Sequence, residues 1–338
     1  MKLSLRGILL FVLLIFFINY YIGHLRMEQS SHLLKFASSF IPSYYTQRGA
    51  QSGTTNSTDL AKFMRSREIL YEKRRKRVND VCLKYGQDLH RRDDQIAGSF
   101  MVSEENLIVY CRMGKVGSST WMQYFLNMDK SDDLKAQIKD GASPHSCISR
   151  HFRLYPREII HEYNAYLLVV FVRHPFERLA SAFEDKINST RDEQFTSWRK
   201  KFTKTYGDLS FNSFIQHVLY EFESSCSLAD CKVNHHWQPF YDQCGFCNVS
   251  FDVIGTLDEF QSDMIYIQER LHRPNIFNLT IRANSALQTS QESTIREKTL
   301  EYFKELKKEQ IRLLLHHYQI DFELFGYESD EYQIDMQL

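Results

Sequence analysis

Two short segments concentrate side chains and backbone suited to holding anions. In the first, the apolar run Leu107-Ile-Val-Tyr-Cys111 leads into Arg112-Met-Gly-Lys-Val-Gly-Ser-Ser-Thr120, and a helical pattern follows in Trp121, Phe125 and Met128. A strand, a loop carrying Gly114 and Gly117, and a helix opened by Ser118, Ser119 and Thr120 form a ready anion site, because first-turn N–H groups and the helix dipole face whatever sits there. Lys115 adds a full positive charge, Val116 completes the loop, and the three hydroxyls add donors. The Gly-Lys-Ser order of a nucleotide-triphosphatase loop is absent. The plain alternative is a strand-to-helix turn with a surface lysine.

In the second segment, Ala165-Tyr-Leu-Leu-Val-Val-Phe-Val172 reads as a fully buried parallel strand. It ends in Arg173-His-Pro-Phe-Glu-Arg-Leu-Ala-Ser181 and continues as a helix through Ile187, with Pro175 suited to the first turn. Arg173 at the strand end and Ser181 two turns along can face one phosphate, while Arg178 can brace the site. Both segments need a parallel sheet whose strands deliver their loops to a common edge. The expected architecture is therefore α/β, a mostly parallel sheet flanked by helices, with ligand across the carboxyl ends of the strands. The C-terminal third reads as helical over Leu257 to Leu271 and Arg296 to Tyr318.

A Lys-Val-Gly-x-x-x-Trp loop after one strand and Arg-x-Pro-Phe-x-Arg-Leu-x-Ser after another resembles the two co-substrate motifs of Golgi carbohydrate sulfotransferases. The resemblance is nearest to the branch holding chondroitin and dermatan 4-O-sulfotransferases and the HNK-1 sulfotransferase. Asn234-His-His-Trp-Gln-Pro239, Cys244-Gly-Phe-Cys247 with Phe251-Asp-Val-Ile-Gly255, and Tyr318-Gln-Ile-Asp-Phe-Glu-Leu-Phe-Gly-Tyr327 follow in family order. It implies a P-loop-like sulfotransferase fold and the co-substrate 3′-phosphoadenylyl sulfate (PAPS), with no metal. The first motif, Gly114 to Thr120, would hold the 5′-phosphosulfate, and the second, with Arg173, Arg178 and Ser181, the 3′-phosphate. The implied acceptor is a glycosaminoglycan or other glycan, foremost the 4-O of GalNAc in chondroitin or dermatan. A uronyl 2-O-sulfotransferase or another glycan sulfotransferase is the alternative. Gly114, Ser118, Ser119, Thr120 and Met122 depart from the family's Pro-Lys-Val-Gly-Cys-Thr-Asn-Trp-Lys, and His174 stands where Asp or Glu is common.

Sulfuryl transfer requires neutralisation of the departing phosphate and a base for the acceptor hydroxyl. Lys115 is the expected stabiliser of the bridging oxygen. His151 and His236 are the expected bases; the interval from His151 to Arg173 resembles that of the catalytic histidine in uronyl 2-O-sulfotransferases. A buried structural histidine is the plain reading for either, and Glu184 and Asp185 read as helix-surface or acceptor contacts. Basic groups at Trp198 to Lys204 and at Arg150, Arg153 and Arg157 could flank a polyanionic acceptor.

The compartment follows from the N-terminus. Residues 7–23 carry no charge and read as an uncleaved signal anchor, behind a cytoplasmic tail at 1–6, since no small-x-small cleavage site follows. Residues 24–75 read as a luminal stem and 76–338 as the luminal catalytic domain of a single-pass type II protein, in the Golgi membrane by the family resemblance. Asn56, Asn188, Asn248 and Asn278 head N-glycosylation triplets. Lys+Arg and Asp+Glu both number 42, so no global charge draws the chain to nucleic acid. Cys226, Cys231, Cys244 and Cys247 could bind zinc and, with the basic run Lys73 to Arg77, make a nucleic-acid module. An oxidising lumen favours disulfides among these four instead, in one of three pairings, and leaves at least one of the seven cysteines unpaired.

Overall fold

The computed structural model describes residues 57–91, 93–129, 132–139, 144–153, 163, 165–189, 196–226, 232–279 and 292–332. The expected tail, the apolar segment 7–23, most of the stem and Asn56 lie outside the described residues. Among those described, no helix is long and apolar enough to cross a membrane.

The chain divides into Met1–Ala61 and Lys62–Leu338. Helix α1, Ser57–Tyr85, begins in the first unit and runs on in the second. From Lys62 it is part of the folded domain, because Arg67 and Tyr71 are buried and both hydrogen-bond Asp263. The domain boundary therefore falls well before the expected residue 76. The basic run is not an independent patch either: Arg74 donates to the Ile254 carbonyl at 2.7 Å and Arg75 to that of Asp252 at 2.5 Å. These two guanidinium groups cover one carbonyl of the edge strand Val253–Thr256 and that of the residue just before it, where unpaired backbone would otherwise invite association.

Strands β1 Phe100–Ser103, β2 Ile108–Cys111, β3 Leu167–Val172 and β4 Val253–Thr256 form one sheet in the order β1-β2-β3-β4. The pairs β2/β3 and β3/β4 are parallel, and β1 adds an antiparallel edge with Phe100 opposite Cys111. All residues of β2 and β3 are buried, so both faces of the sheet's centre are covered, as the continuous apolar runs require. The crossover from β2 to β3 carries α2 Ser118–Met128, α3 Asp132–Lys139 and α4 Pro144–His151. That from β3 to β4 carries α5 Pro175–Phe183, α6 Thr196–Tyr206, α7 Phe211–Ser225 and the short α8 Phe240–Cys244. After β4 come α9 Phe260–Arg270, α10 Glu292–Lys304 and α11 Lys308–Phe325. The expected helix Arg296 to Tyr318 is thus two helices; the chain restarts at Lys307, whose N–H donates to Gln310 Oε1 at 2.9 Å.

One apolar cluster surrounds the sheet, where Tyr110 of β2 stacks on Trp121 of α2 at 4.4 Å. A second lies among α5, α7, α10 and α11 and includes Phe176, Phe214, Trp237 and Tyr318. Disulfides join Cys82 to Cys247 and Cys111 to Cys244, and Cys147 is a buried free thiol. Cys226 is disulfide-bonded as well, and Cys231 lies outside the described residues. Cys244 and Cys247 therefore pair outside the expected four-cysteine cluster, and with their sulfurs so engaged the zinc reading falls.

Candidate active site

β2 ends at Cys111, and the chain crosses to α2 through a tight loop in which Lys115 has φ +70° and Gly117 φ +83°. A non-glycine residue in the left-handed region is strained, and such strain persists where the surroundings impose it, often at functional sites. Val116, fully buried, pins the loop from below. The helix N-cap is Gly117, which has no side chain to cap with, so no side chain neutralises the positive end of α2, the kind of terminus that suits an anion. Ser118 and Ser119 are half-buried in its first turn, whereas Thr120 is buried.

Lys115 reaches the turn that follows α5. Its Nζ donates to Asp185 Oδ2 at 2.9 Å, and Lys186 Nζ lies 3.2 Å from the same oxygen. That turn, Glu184–Asn188, is a π-helical widening of the kind often found at functional sites. Burial lowers the Lys115 pKa; Asp185 opposes the shift, and Lys186 and Arg173 reinforce it. For Asp185 burial acts upward, but Lys115 and Lys186 prevail and hold it below the usual carboxylate range. Lys115 and Lys186 thus meet at one carboxylate beyond the carboxyl end of β2, and Arg173, at the end of the neighbouring β3, is within electrostatic range of Lys115. Glu184 faces elsewhere, paired with Lys298 at 2.7 Å.

Arg173, at the end of β3, is buried with Nε 3.2 Å from Glu177 Oε2. His174 explains its own departure from the family pattern: its Nδ1 accepts the Phe176 N–H at 3.2 Å, the job an Asp side chain does at a helix N-cap. Nε2 therefore carries the proton and donates to the Glu328 carbonyl at 3.0 Å. Burial holds this ring neutral, with its pKa pushed down to about 4. Ser181 is half-buried on α5.

Arg178 makes the contacts of a brace. It is buried, and its guanidinium donates to the carbonyls of Gly114 at 3.1 Å, Gln238 at 2.5 Å and His235 at 3.0 Å. Burial lowers its pKa to about 10. The clamp fastens the Lys115 loop to the His-His-Trp segment, and a Cβ on Gly114 would lie 2.9 Å from His236 Nδ1. The disulfide Cys111–Cys244 joins the end of β2, just before this loop, to α8, which follows the His-His-Trp segment. Glu221 orients the second: Oε2 accepts from Trp237 Nε1 at 2.8 Å and from the Asn234 N–H at 3.2 Å. Burial, with nearby His235, Lys186, Lys115 and Arg178, drives the His236 pKa down to about 2, so its ring is neutral.

His151 is in a different place. It is exposed at the end of α4, with Nε2 3.2 Å from Oδ2 of Asp129, the residue after α2. An 11-residue helix is about 16 Å long, so this end of α2 is remote from Ser118, and His236 rather than His151 adjoins the Lys115 loop. Of the expected acceptor cations, Arg199 is buried and donates to the Ser189 carbonyl at 2.7 Å, Arg150 and Arg153 are exposed, and Arg157 lies outside the described residues. Asn188 and Asn278 are exposed, while Asn248 is half-buried and its Oδ1 accepts from the Arg91 N–H at 2.7 Å. Lys186, Glu221 and the Asp185–Lys115 pair escaped the sequence reading. Spacing held a signal for Asp185, four residues after Ser181 on the same helical face.

The profile of the sulfotransferase family matches residues 98–328, from the turn before β1 to the residues after α11. The chain belongs to the sulfotransferase family. It is similar to carbohydrate sulfotransferase 14 of Danio rerio, 27% identical over 241 residues that cover 67% of this chain and 61% of the relative. Carbohydrate sulfotransferase 8 of Mus musculus is 23% identical over 306 residues, 85% of this chain and 72% of the relative. Carbohydrate sulfotransferase 11 of Mus musculus is 23% identical over 285 residues, 78% of each chain. The chain thus spans less than two thirds of the zebrafish relative and more of the two mouse ones. No solved structure matches.

Proposed function

We propose that this protein transfers the sulfuryl group of PAPS to a glycan hydroxyl, and that the acceptor is the 4-O of GalNAc in chondroitin or dermatan. The observation that carries the reading is the meeting of Lys115 and Lys186 at Asp185 beyond the carboxyl end of β2, with His236 packed on Gly114. A phosphosulfate meets the open N-terminus of α2 and displaces Asp185 from Lys115, leaving that ammonium beside the oxygen on which charge grows as the sulfur–oxygen bond breaks. Arg173 and Ser181 bind the 3′-phosphate. Arg178 holds both walls in register through backbone carbonyls and touches no phosphate.

His236 is the base. Its proton affinity is suppressed by burial and by surrounding cations; an arriving polyanion offsets those cations and raises it toward the range of an effective base. The disulfides and the apolar segment 7–23 support an oxidising lumen and a type II anchor in the Golgi membrane. The test is transfer from labelled PAPS to a panel of desulfated glycosaminoglycans, followed by disaccharide analysis. Label on the 4-O of GalNAc is expected; label on uronyl 2-O would move the acceptor assignment, and no label on any glycan would end it.

A further inference from the structure

Arg112 begins the Lys115 loop, yet no contact described above uses its side chain. Its backbone N–H donates to the Ser99 carbonyl at 2.7 Å, placing it against the turn before β1. Arg153 comes to the same turn from the other side: it bridges Met101 in antiparallel fashion, and its Nη2 lies 2.9 Å from where a Cβ on Gly98 would be. Arg112 is half-buried, and its Nε is enclosed with no hydrogen-bond partner. Among the described residues no carboxylate or carbonyl accepts from either guanidinium. Burial lowers the Arg112 pKa, and Arg153 is close enough to lower it further. Two guanidinium groups held near one another with no anion between them are unfavourable unless a ligand supplies it.

The position of this pair relative to the reacting groups indicates which ligand. Arg112 also lies within electrostatic range of His235, whose ring centroid is 4.0 Å from that of His236. Gly114, which packs against His236 and is tied through Arg178 to the His235 carbonyl, is flanked along the loop by Lys115 on one side and by Arg112, two residues back, on the other. The donor takes the lysine side, so the acceptor enters from the arginine side. We propose that Arg112 and Arg153, with His235 beside them, bind an acidic group of the acceptor glycan, a carboxylate or a sulfate ester, while the neighbouring hydroxyl faces His236. This rests on the sulfuryl-transfer reading above. It adds that the enzyme selects acidic acceptors through the residue that opens its donor loop.

The test is calorimetric binding of three hexasaccharides to the full-length protein saturated with adenosine 3′,5′-bisphosphate. They are unsulfated chondroitin, its carboxyl-reduced form, and the carboxyl-reduced form bearing 6-O-sulfate. Arg112→Gln should weaken binding of at least one acidic hexasaccharide about 10- to 100-fold relative to the neutral one, the range for losing a charge-assisted contact. Arg153→Gln, at an exposed site, should shift the same ratio in the same direction but less, and Arg112→Lys should retain part of it. Nucleotide affinity should stay within about twofold, which shows the donor side intact. Whichever acidic probe responds identifies carboxylate or sulfate as the bound group. Equal loss on all three probes, no loss on any, or no binding of any probe by the wild type overturns the proposal. A wild type that binds an acidic probe in an Arg112-dependent way, yet transfers no sulfate to it, would uphold this subsite and refute the transferase reading instead.

Discussion

Gly114→Ala places a methyl group against His236, the proposed acceptor base. The new Cβ would lie 2.9 Å from His236 Nδ1, 3.3 Å from His236 Cα and 3.4 Å from the His235 carbonyl oxygen. Ordinary contact requires the ring to retreat by roughly 0.5 Å and its backbone by a few tenths of an ångström. Neither wall can slide away freely, because Arg178 holds the Gly114 and His235 carbonyls together. Gly114 does not have a positive φ, so alanine introduces crowding without backbone strain. Misplacing a reacting group by 1 Å costs about 100-fold, so a shift of half that size should slow transfer roughly 10-fold. Overpacking should also lower stability by about 1–3 kcal/mol. The assay is single-turnover transfer at saturating donor and acceptor, with nucleotide affinity measured alongside and expected within about threefold of wild type. Transfer at the wild-type rate with a destabilised fold would show that the ring had moved without consequence, and His236 would have no part in the chemistry.

Arg173→Ala should weaken adenosine 3′,5′-bisphosphate by about 30- to 150-fold, the loss of one charge-assisted contact, with calorimetry as the check and unchanged affinity as the refutation. His174 has a folded pKa pushed down to about 4 against 6.5 in the unfolded chain, so its contribution to stability is complete above pH 6.5 and is lost as pH falls toward 4. Between pH 7 and pH 5 the wild type should therefore lose about 2 kcal/mol more than His174→Asn, which keeps a capping oxygen but does not titrate; equal losses in urea titrations would contradict this. Replacing both Cys111 and Cys244 by Ala opens a closure of 133 residues and should cost about 2–5 kcal/mol while loosening nucleotide binding; an unaltered urea midpoint would show the bridge to be dispensable.

What was legible in the sequence was local. The run that became β3, the glycine-bearing loop at Lys115 and the Pro175 helix start each rest on neighbouring residues, and the structure realises all three. What depended on distant partners was not legible. Arg178 reads as a brace, and by the resemblance as part of the 3′-phosphate motif, but nothing near it shows that its acceptors are carbonyls 57 to 64 residues away. The basic run of α1 reads as part of a nucleic-acid module, since nothing nearby shows that the Asp252 and Ile254 carbonyls would be presented to it. Cys244 and Cys247 sit beside two other cysteines in the sequence, but their partners lie 133 and 165 residues back. His151 and His236 could not be ranked until the length of α2 separated one from the Lys115 loop and Gly114 brought the other against it.

The central claim is that Lys115 neutralises the leaving phosphate rather than merely binding donor. The most direct measurement is single-turnover sulfuryl transfer from labelled PAPS, wild type against Lys115→Ala, at donor concentrations that saturate both. Loss of a comparable electrostatic stabiliser slows turnover about 100- to 1,000-fold, and a drop of that order is expected, with a much smaller change in donor dissociation. Lys115→Arg should restore only part, because a planar guanidinium does not reproduce a point charge. An alanine variant that transfers at nearly the wild-type rate once saturated would contradict the account and pass the leaving-group role to Lys186 or Arg173.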